Sequence, residues 1–177
     1  MFWTRVLGIL RLDASAFEDV ESDPAATWQA IAIVVLSSAA SALGVGGLFN
    51  HRPAATFVST TAVALITWTA WAVLTQQIGT RVLPERATRA PLGQLLRTIG
   101  FAAAPGILQV FGMFPKMTVP VVAITSGWMF AAMVVAVQHA LDYAHIGRAI
   151  AVCLLAVALS FGLAIILAMF TVTTTTS

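Results

Sequence analysis

Apolar residues fall into five long runs separated by short polar punctuation. The runs extend from Trp28 to Phe49, Phe57 to Ile78, Thr98 to Phe114, Val119 to Ala140 and Ala149 to Val172. A helix needs about 20 such residues to cross roughly 30 Å of hydrocarbon. The runs do not alternate apolar and polar over about 10 residues, as barrel strands do. In lipid a helix satisfies its own backbone groups. The pattern therefore predicts an all-α, polytopic membrane protein with five transmembrane helices, residues 28–177. Residues 1–27 precede them as a separate segment. There Phe2, Trp3, Val6, Ile9 and Leu10 recur at near-helical spacing. They predict a short amphipathic N-terminal helix lying in the membrane interface, with Arg5 and Arg11 beside the headgroups. The alternative is an ordinary helix packed on the bundle. Ser15 to Glu18 has capping-box spacing and marks a second short helix.

The punctuation is specific. Asp23-Pro24 reads as an N-cap followed by proline in the first turn, so the first spanning helix starts a turn before Trp28. Asn50-His51-Arg52-Pro53 reads as a tight turn, and Gly79 to Arg97 as a polar linker broken by Pro84 and Pro91. Pro115-Lys116 closes the third run, and Pro120 opens the fourth. The third run, TIGFAAAPGILQVFGMFP, is the shortest and carries Pro105-Gly106 near its middle. Pro105 cannot donate to the Phe101 carbonyl, and hydrocarbon cannot replace that bond. A neighbouring helix or a local change of helix type must do so. The expected result is a kink, with a broken helix as the alternative.

Composition places the chain in lipid. Hydrophobic residues make up 59% and charged residues 9%, against about 25% charged in soluble domains. Seven of the nine basic residues fall on one side of a five-span arrangement: Arg5, Arg11, Arg81, Arg86, Arg89, Arg97 and Arg148. Arg52 and Lys116 fall on the other. By the positive-inside rule the N-terminus is cytoplasmic and the C-terminus periplasmic. Asp13, Glu18, Asp19, Glu21 and Asp23 stand where a signal-peptide cleavage site would be, so the first apolar run is expected to remain as an anchor. Abundant alanine, and arginine in place of lysine, point to a bacterial inner-membrane protein. No basic patch interleaved with aromatics suggests nucleic acid.

Little in the spans can carry chemistry. Spans one, two, three and five have no ionisable residue in their central portions, where a proton relay or catalytic carboxylate would sit. HExxH, GxSxG and phosphate-binding glycine motifs are absent from the sequence. The one polar constellation is His139, Asp142 and His145. It is read as the polar end of span four, with Asp142 pairing to Arg148 or to an arginine of the second loop, rather than as a metal site. Cys153 is read as inert core. No catalytic, cofactor or metal residue is expected. Ser37-xxx-Ser41 and Ala40-xxx-Gly44 let helices approach closely, within the bundle or between copies. Thr60, Thr61, Thr67, Thr69 and Thr75 either line a polar path or bond to their own helix. Trp68, Trp71 and Trp128 are read as packing anchors.

The order and spacing of several features resemble the Yip1 domain family of five-span membrane proteins, especially its compact bacterial members. The features are Asp23-Pro24 after the amphipathic lead, the run from Arg97 to Pro115 with Gly100, Phe101, Ala104 and Pro105, Trp128, and ALDYAHIGRAI with Asp142 and Arg148. The resemblance implies five helices, a cytoplasmic N-terminus and no catalytic activity. The longer cytosolic region of eukaryotic relatives, with its DLYGP-type motif, is missing, so their GTPase binding is not carried over. The reading that follows is a non-enzymatic scaffold, membrane-organising protein or accessory subunit. Its partners are membrane lipids and a membrane protein or second copy, with Arg81, Arg86, Arg89 and Arg97 as contacts. The competing reading is a small transporter, channel or lipid-translocating protein. It would use the span-two threonines, Gln76, Gln77, Gln109 and the interrupted third helix.

Overall fold

The computed structural model describes residues 1–46, 53–85 and 91–175, with side chains described for these except 45–46, 53–56, 60 and 163–175. Among the described residues there is no strand. The helices are α1 (Phe2–Leu10), α2 (Ala14–Ser22), α3 (Ala26–Gly46), α4 (Pro53–Gln77), α5 (Leu92–Ala102), α6 (Thr118–Ala140) and α7 (Ile146–Thr175). A π turn, Ile78–Val82, extends α4, and a 3₁₀ segment, Ala104–Met113, extends α5. Four stretches are long and apolar enough to cross a membrane: Ala26–Gly44, Phe57–Val82, Leu92–Met113 and Thr118–Ala140. The described apolar part of α7, Ile146–Gly162, adds a further helix. The chain is an all-helical polytopic membrane protein. The expected turn at Asn50-His51-Arg52 lies outside the described residues.

The third span starts earlier than the apolar pattern indicated. Pro91 precedes the first turn of α5, and Leu95 is buried where a polar linker was expected. Arg97 and Gln94 disguise this turn in the sequence, because they face the end of the molecule rather than lipid. At Pro105 the helix does not simply kink; its winding changes. Ala103 N–H donates to Gly100 O (3.2 Å) and Gly106 N–H to Ala103 O (2.9 Å), which are i to i+3 bonds. The Ala103 carbonyl also accepts from Ser37 Oγ of α3 at 2.8 Å. The change of winding expected at Pro105 is thus found, and α3 sends a hydroxyl to the turn just before the proline. The 3₁₀ rise of about 2.0 Å per residue gives these ten residues roughly 20 Å of length, against about 15 Å for an α-helix. That stretch lets a short run span the bilayer.

The 3₁₀ winding also makes a straight seam. With three residues per turn, Gly106, Gln109 and Gly112 stack on one edge. A Cβ on Gly106 would lie 3.2 Å from Ser37 Cβ, and one on Gly112 would lie 3.1 Å from Gly44 O. A Cβ on Gly44 would come within 1.9 Å of Gln109 O. So Ser37 and Gly44, read from sequence as a close-packing stripe, are used inside this molecule. Thr118 Oγ1 donates to Gly112 O at 2.6 Å and ties the far end of the segment to α6.

Two apolar cores flank this central span, the most buried of the four. One joins Ala72, Leu95, Ile99, Val137, Leu141 and Val152 from α4 to α7. The other seats Val6, Ile9, Phe17 and Val20 of the α1–α2 hairpin against Ala30, Ile33, Phe101 and Ala132. The N-terminal helix therefore packs on the bundle, with Trp3 and Leu7 left exposed on its other face. Arg5 is buried. The cap of α2 is Asp13, which accepts from Ser15 N–H at 3.0 Å, and not the Ser15–Glu18 box. Leu12 closes α1 in the left-handed region (φ 59°). Its N–H reaches Ile9 O, and that of Asp13 reaches Gly8 O, a Schellman turn.

Gly44→Ala drives a methyl into the Gln109 carbonyl and is expected to destabilise the folded protein by about 1–3 kcal/mol. Gly127→Ala is the control, since nothing lies within 4 Å of its added Cβ. Thermal unfolding of both variants in one detergent checks this. Equal midpoints would show that α3 and the 3₁₀ segment do not touch through their backbones.

Candidate functional site

The polar side chains gather at one end of the bundle, where α1, α2, the π turn and the α6–α7 connection meet. Arg5, only 6% exposed, sends Nε and Nη2 to the Asp19 carboxylate (2.7 and 3.2 Å). It also meets Asp23 at 2.9 Å and Gln29 Oε1 at 3.2 Å. Its hydrogen bonds hold the carboxyl groups of Asp19 and Asp23 below the usual carboxylate range. They also raise the Arg5 guanidinium further above its already high value. Asp23 accepts from Ala25 N–H at 2.9 Å as well, so it starts α3 as the sequence indicated. Burial, with Asp142 nearby as a further cause, pushes Glu21 upward.

Three further contacts fasten the α1–α2 hairpin. Arg97 donates to the carbonyls of Val20 (3.2 Å) and Glu21 (2.5 Å), and so closes the C-terminus of α2. Trp128 Nε1–H donates to Leu10 O at 3.0 Å. His139 stacks on Phe17, ring centroids 6.0 Å apart, with Nδ1 3.9 Å from Glu18. Phe101 is buried beneath the hairpin and meets Phe2 at 6.5 Å. A Cβ on Gly100 would fall between Ala30 and Trp68. Ala104 and Pro105 are buried, while Pro115 lies exposed at the opposite end.

A second clasp was missed in the sequence. Arg148 pairs with Glu85 at 3.1 Å, not with Asp142, and donates to Pro84 O at 3.1 Å. Glu85 also accepts from Ala144 N–H at 3.2 Å. The Tyr143 hydroxyl is shared between the carbonyls of Leu83 (2.8 Å) and Gly79 (3.1 Å). Burial raises its pKa and keeps it a donor. Asp142 takes the left-handed conformation (φ 52°) that ends α6. Its N–H bonds to His139 O and that of Tyr143 to Gln138 O, a second Schellman turn. The signal for this clasp was Glu85, the acidic residue in an otherwise basic linker. Arg81 is exposed, and Arg86 and Arg89 lie outside the described residues. Among the described residues, no group of three His, Cys, Asp or Glu side chains is placed to hold a metal ion.

The other feature is a half-open cleft of about 390 Å³ within the spans, between α3, α4, α6 and the α5–3₁₀ span. It brings together Ser37, Ser41, Thr67 and Gln109 with Trp71 and Met133. Of the span-two threonines, Thr67 lines the cleft. Thr61 bonds to Ser38 (3.1 Å) and Thr69 to the Leu65 carbonyl (2.9 Å). Thr75 is buried, its hydroxyl without a partner among the described residues. The side chain of Thr60 lies outside them. Trp68 both lines the cleft and anchors it, donating to Leu96 O at 3.1 Å.

The Arg5 cluster sets a pH dependence with a defined sign. Asp19 and Asp23 have folded-state pKa values below their unfolded ones. Their stabilisation is complete above about pH 4 and is lost as pH falls through the folded values. Limited proteolysis of α1–α2 is expected to be slow at neutral pH and to accelerate only in acid. In the Asp19→Asn, Asp23→Asn variant it should already be fast at neutral pH, with little further acid dependence. Identical profiles for the two proteins would disprove the role of the cluster.

No curated protein and no solved structure matches the chain. Residues 7–168, which include the Glu85–Arg148 clasp and the cleft, match the model of the Yip1 domain. The chain belongs to the Yip1 domain family.

Proposed function

We propose that this Yip1-domain protein is a non-enzymatic organiser of the membrane: a scaffold or an accessory subunit of a membrane complex. It crosses the bacterial inner membrane five times, with the N-terminus and arginine-rich end cytoplasmic and the C-terminus periplasmic. Residues 1–27 serve as an interfacial segment attached to a transmembrane domain of residues 28–177. The supporting observation is how the arginine-rich end is built. Arg5, Arg97, Arg148, Glu85 and Tyr143 all fasten one part of the chain to another. None converges on an open reaction centre. The resulting cap presents Trp3 and Leu7 outward at 68% and 52% exposure, and Trp28 at 77%. Tryptophan at a span end suits the headgroup region. Exposed Arg81, with Arg86 and Arg89 beyond it, suits anionic headgroups or an acidic partner surface, at about 1 kcal/mol per basic residue. Arg97 supports this surface from behind, by holding α2.

Replacing Arg81, Arg86 and Arg89 together by Gln tests the reading. Co-purification in mild detergent is expected to lose a stoichiometric partner or bound anionic lipid, while cysteine-accessibility mapping shows unchanged topology. Unchanged binding with unchanged topology would reduce the arginines to topology signals.

The second reading, a small transporter or lipid-translocating protein, is favoured by the polar lining of the cleft beside the 3₁₀ segment. Proteoliposomes separate the two. An organiser passes no ions, small metabolites or labelled lipid above the rate of empty vesicles. Protein-dependent flux blocked by Ala64→Trp, which fills the cleft, would establish transport instead.

A further inference from the structure

The cleft has a chemical gradient along its length. Ser41 lies toward the α3–α4 connection on α3, and Gln109 lies in the far half of the 3₁₀ segment. Thr67 sits near the middle. Toward the arginine-rich end the lining turns apolar, with Val34, Trp71, Ile99 and Met133. None of the Ser41, Thr67 and Gln109 side chains has a hydrogen bond among the described residues. Their neighbours do: Ser37 is committed to Ala103 O, and Ser38 to Val35 O and Thr61. The unpaired groups sit inside the membrane spans, where an acyl chain cannot satisfy an amide or a hydroxyl.

The cleft is also open sideways. The α4 residues Val63 and Thr67 are exposed on its rim. A ligand entering from the membrane would match the cleft by carrying hydrogen-bonding atoms at one end and hydrocarbon at the other. Its volume falls in the usual range for a site that engulfs a small ligand.

We propose that the cleft is a binding site for one phospholipid of the leaflet on the α3–α4 side. The glycerol ester oxygens accept from the Gln109 amide and the Ser41 and Thr67 hydroxyls. One acyl chain runs between α4 and α6 onto Trp71 and Met133. Under the orientation proposed above this is the periplasmic leaflet. The site itself does not depend on that orientation or on the organising role. A resident lipid would complete a bundle in which α4 is the least buried of the four spans. It would pack against exposed α4 residues on the rim, Val63 and Thr67.

The test is photolabelling of the full chain in phosphatidylethanolamine–phosphatidylglycerol vesicles. Two probe lipids are used in turn, one with a diazirine beside the ester and one with a diazirine at the acyl end. Mass spectrometry then maps the adducts. The ester-side probe is expected on Ser41 and Gln109, and the chain-end probe on Trp71 and Met133. Both should exceed labelling of the outward α4 residues Val58 and Ile66. Gln109→Leu should lower cleft labelling about fivefold, the loss expected for one hydrogen bond, and leave Val58 and Ile66 unchanged. Ala64→Trp should abolish labelling inside the cleft. Labels spread evenly over cleft and outward positions would mean ordinary surrounding lipid and would overturn the site. Absence of cleft adducts would mean that water or the protein's own chain fills it. Cleft labelling that Gln109→Leu leaves unchanged would overturn recognition through the polar end.

Discussion

A backbone carbonyl in hydrocarbon must be satisfied by the protein itself, and in this molecule that demand concentrates around Pro105. Proline withholds one donor in the middle of the third span. The chain answers by rewinding residues 104–113 as a 3₁₀ helix, and Ser37 of α3 donates to the Ala103 carbonyl beside the proline. The rewinding and the Ser37 bond go together. Ser37 reaches the carbonyl only because α3 lies directly against the 3₁₀ segment. That approach in turn requires glycines where the two backbones meet. The central span then supports both apolar cores, and through Phe101 and Arg97 it carries the N-terminal hairpin as well.

The hairpin shows a different economy of charge. A buried arginine is costly unless its donors are all engaged. Arg5 is engaged by two carboxylates and an amide from three successive parts of the chain, Asp19, Asp23 and Gln29. The acidic cluster that follows α1 in sequence is therefore folded back over it. An ion pair of this kind fixes position more than it adds stability. Here it ties α1 to α2 and to the start of α3. Trp128 and Arg97 add directional hydrogen bonds to carbonyls at the ends of α1 and α2, so both short helices are held by their termini.

How much of this was legible follows from the range of the interactions. Asp23-Pro24 could be read because a cap is local. The spans could be read because lipid imposes length and apolarity on every segment separately. The disturbance at Pro105 was legible, but the choice of 3₁₀ winding was not, because it depends on what α3 presents opposite. Ser37 and Gly44 were legible as small residues, whereas the hydroxyl of Ser37 as a donor was not. Arg97 was misplaced as a surface contact because its acceptors are main-chain atoms, which carry no sequence signature. Trp128 was read as a packing anchor and by family resemblance, but its hydrogen-bond acceptor, 118 residues away, was not legible. Glu85 was overlooked among arginines, although the lone opposite charge was the clue. Of the cleft, Thr67 and Gln109 were visible as polar residues in apolar runs. Their convergence with Ser41 was not, since it is created by the rewinding.

The 3₁₀ seam also fixes a reading frame. Gly106, Gln109 and Gly112 share an edge only because three residues complete one turn. An insertion or deletion of one residue in this segment would swing every later position by about a third of a turn. It would carry Gln109 and Gly112 away from α3 and bring bulky side chains against Gly44. A change of three residues would restore the edge and alter only the length. The segment is thus able to lengthen or shorten in whole turns, as membranes of different thickness require, while the face it shows α3 stays the same.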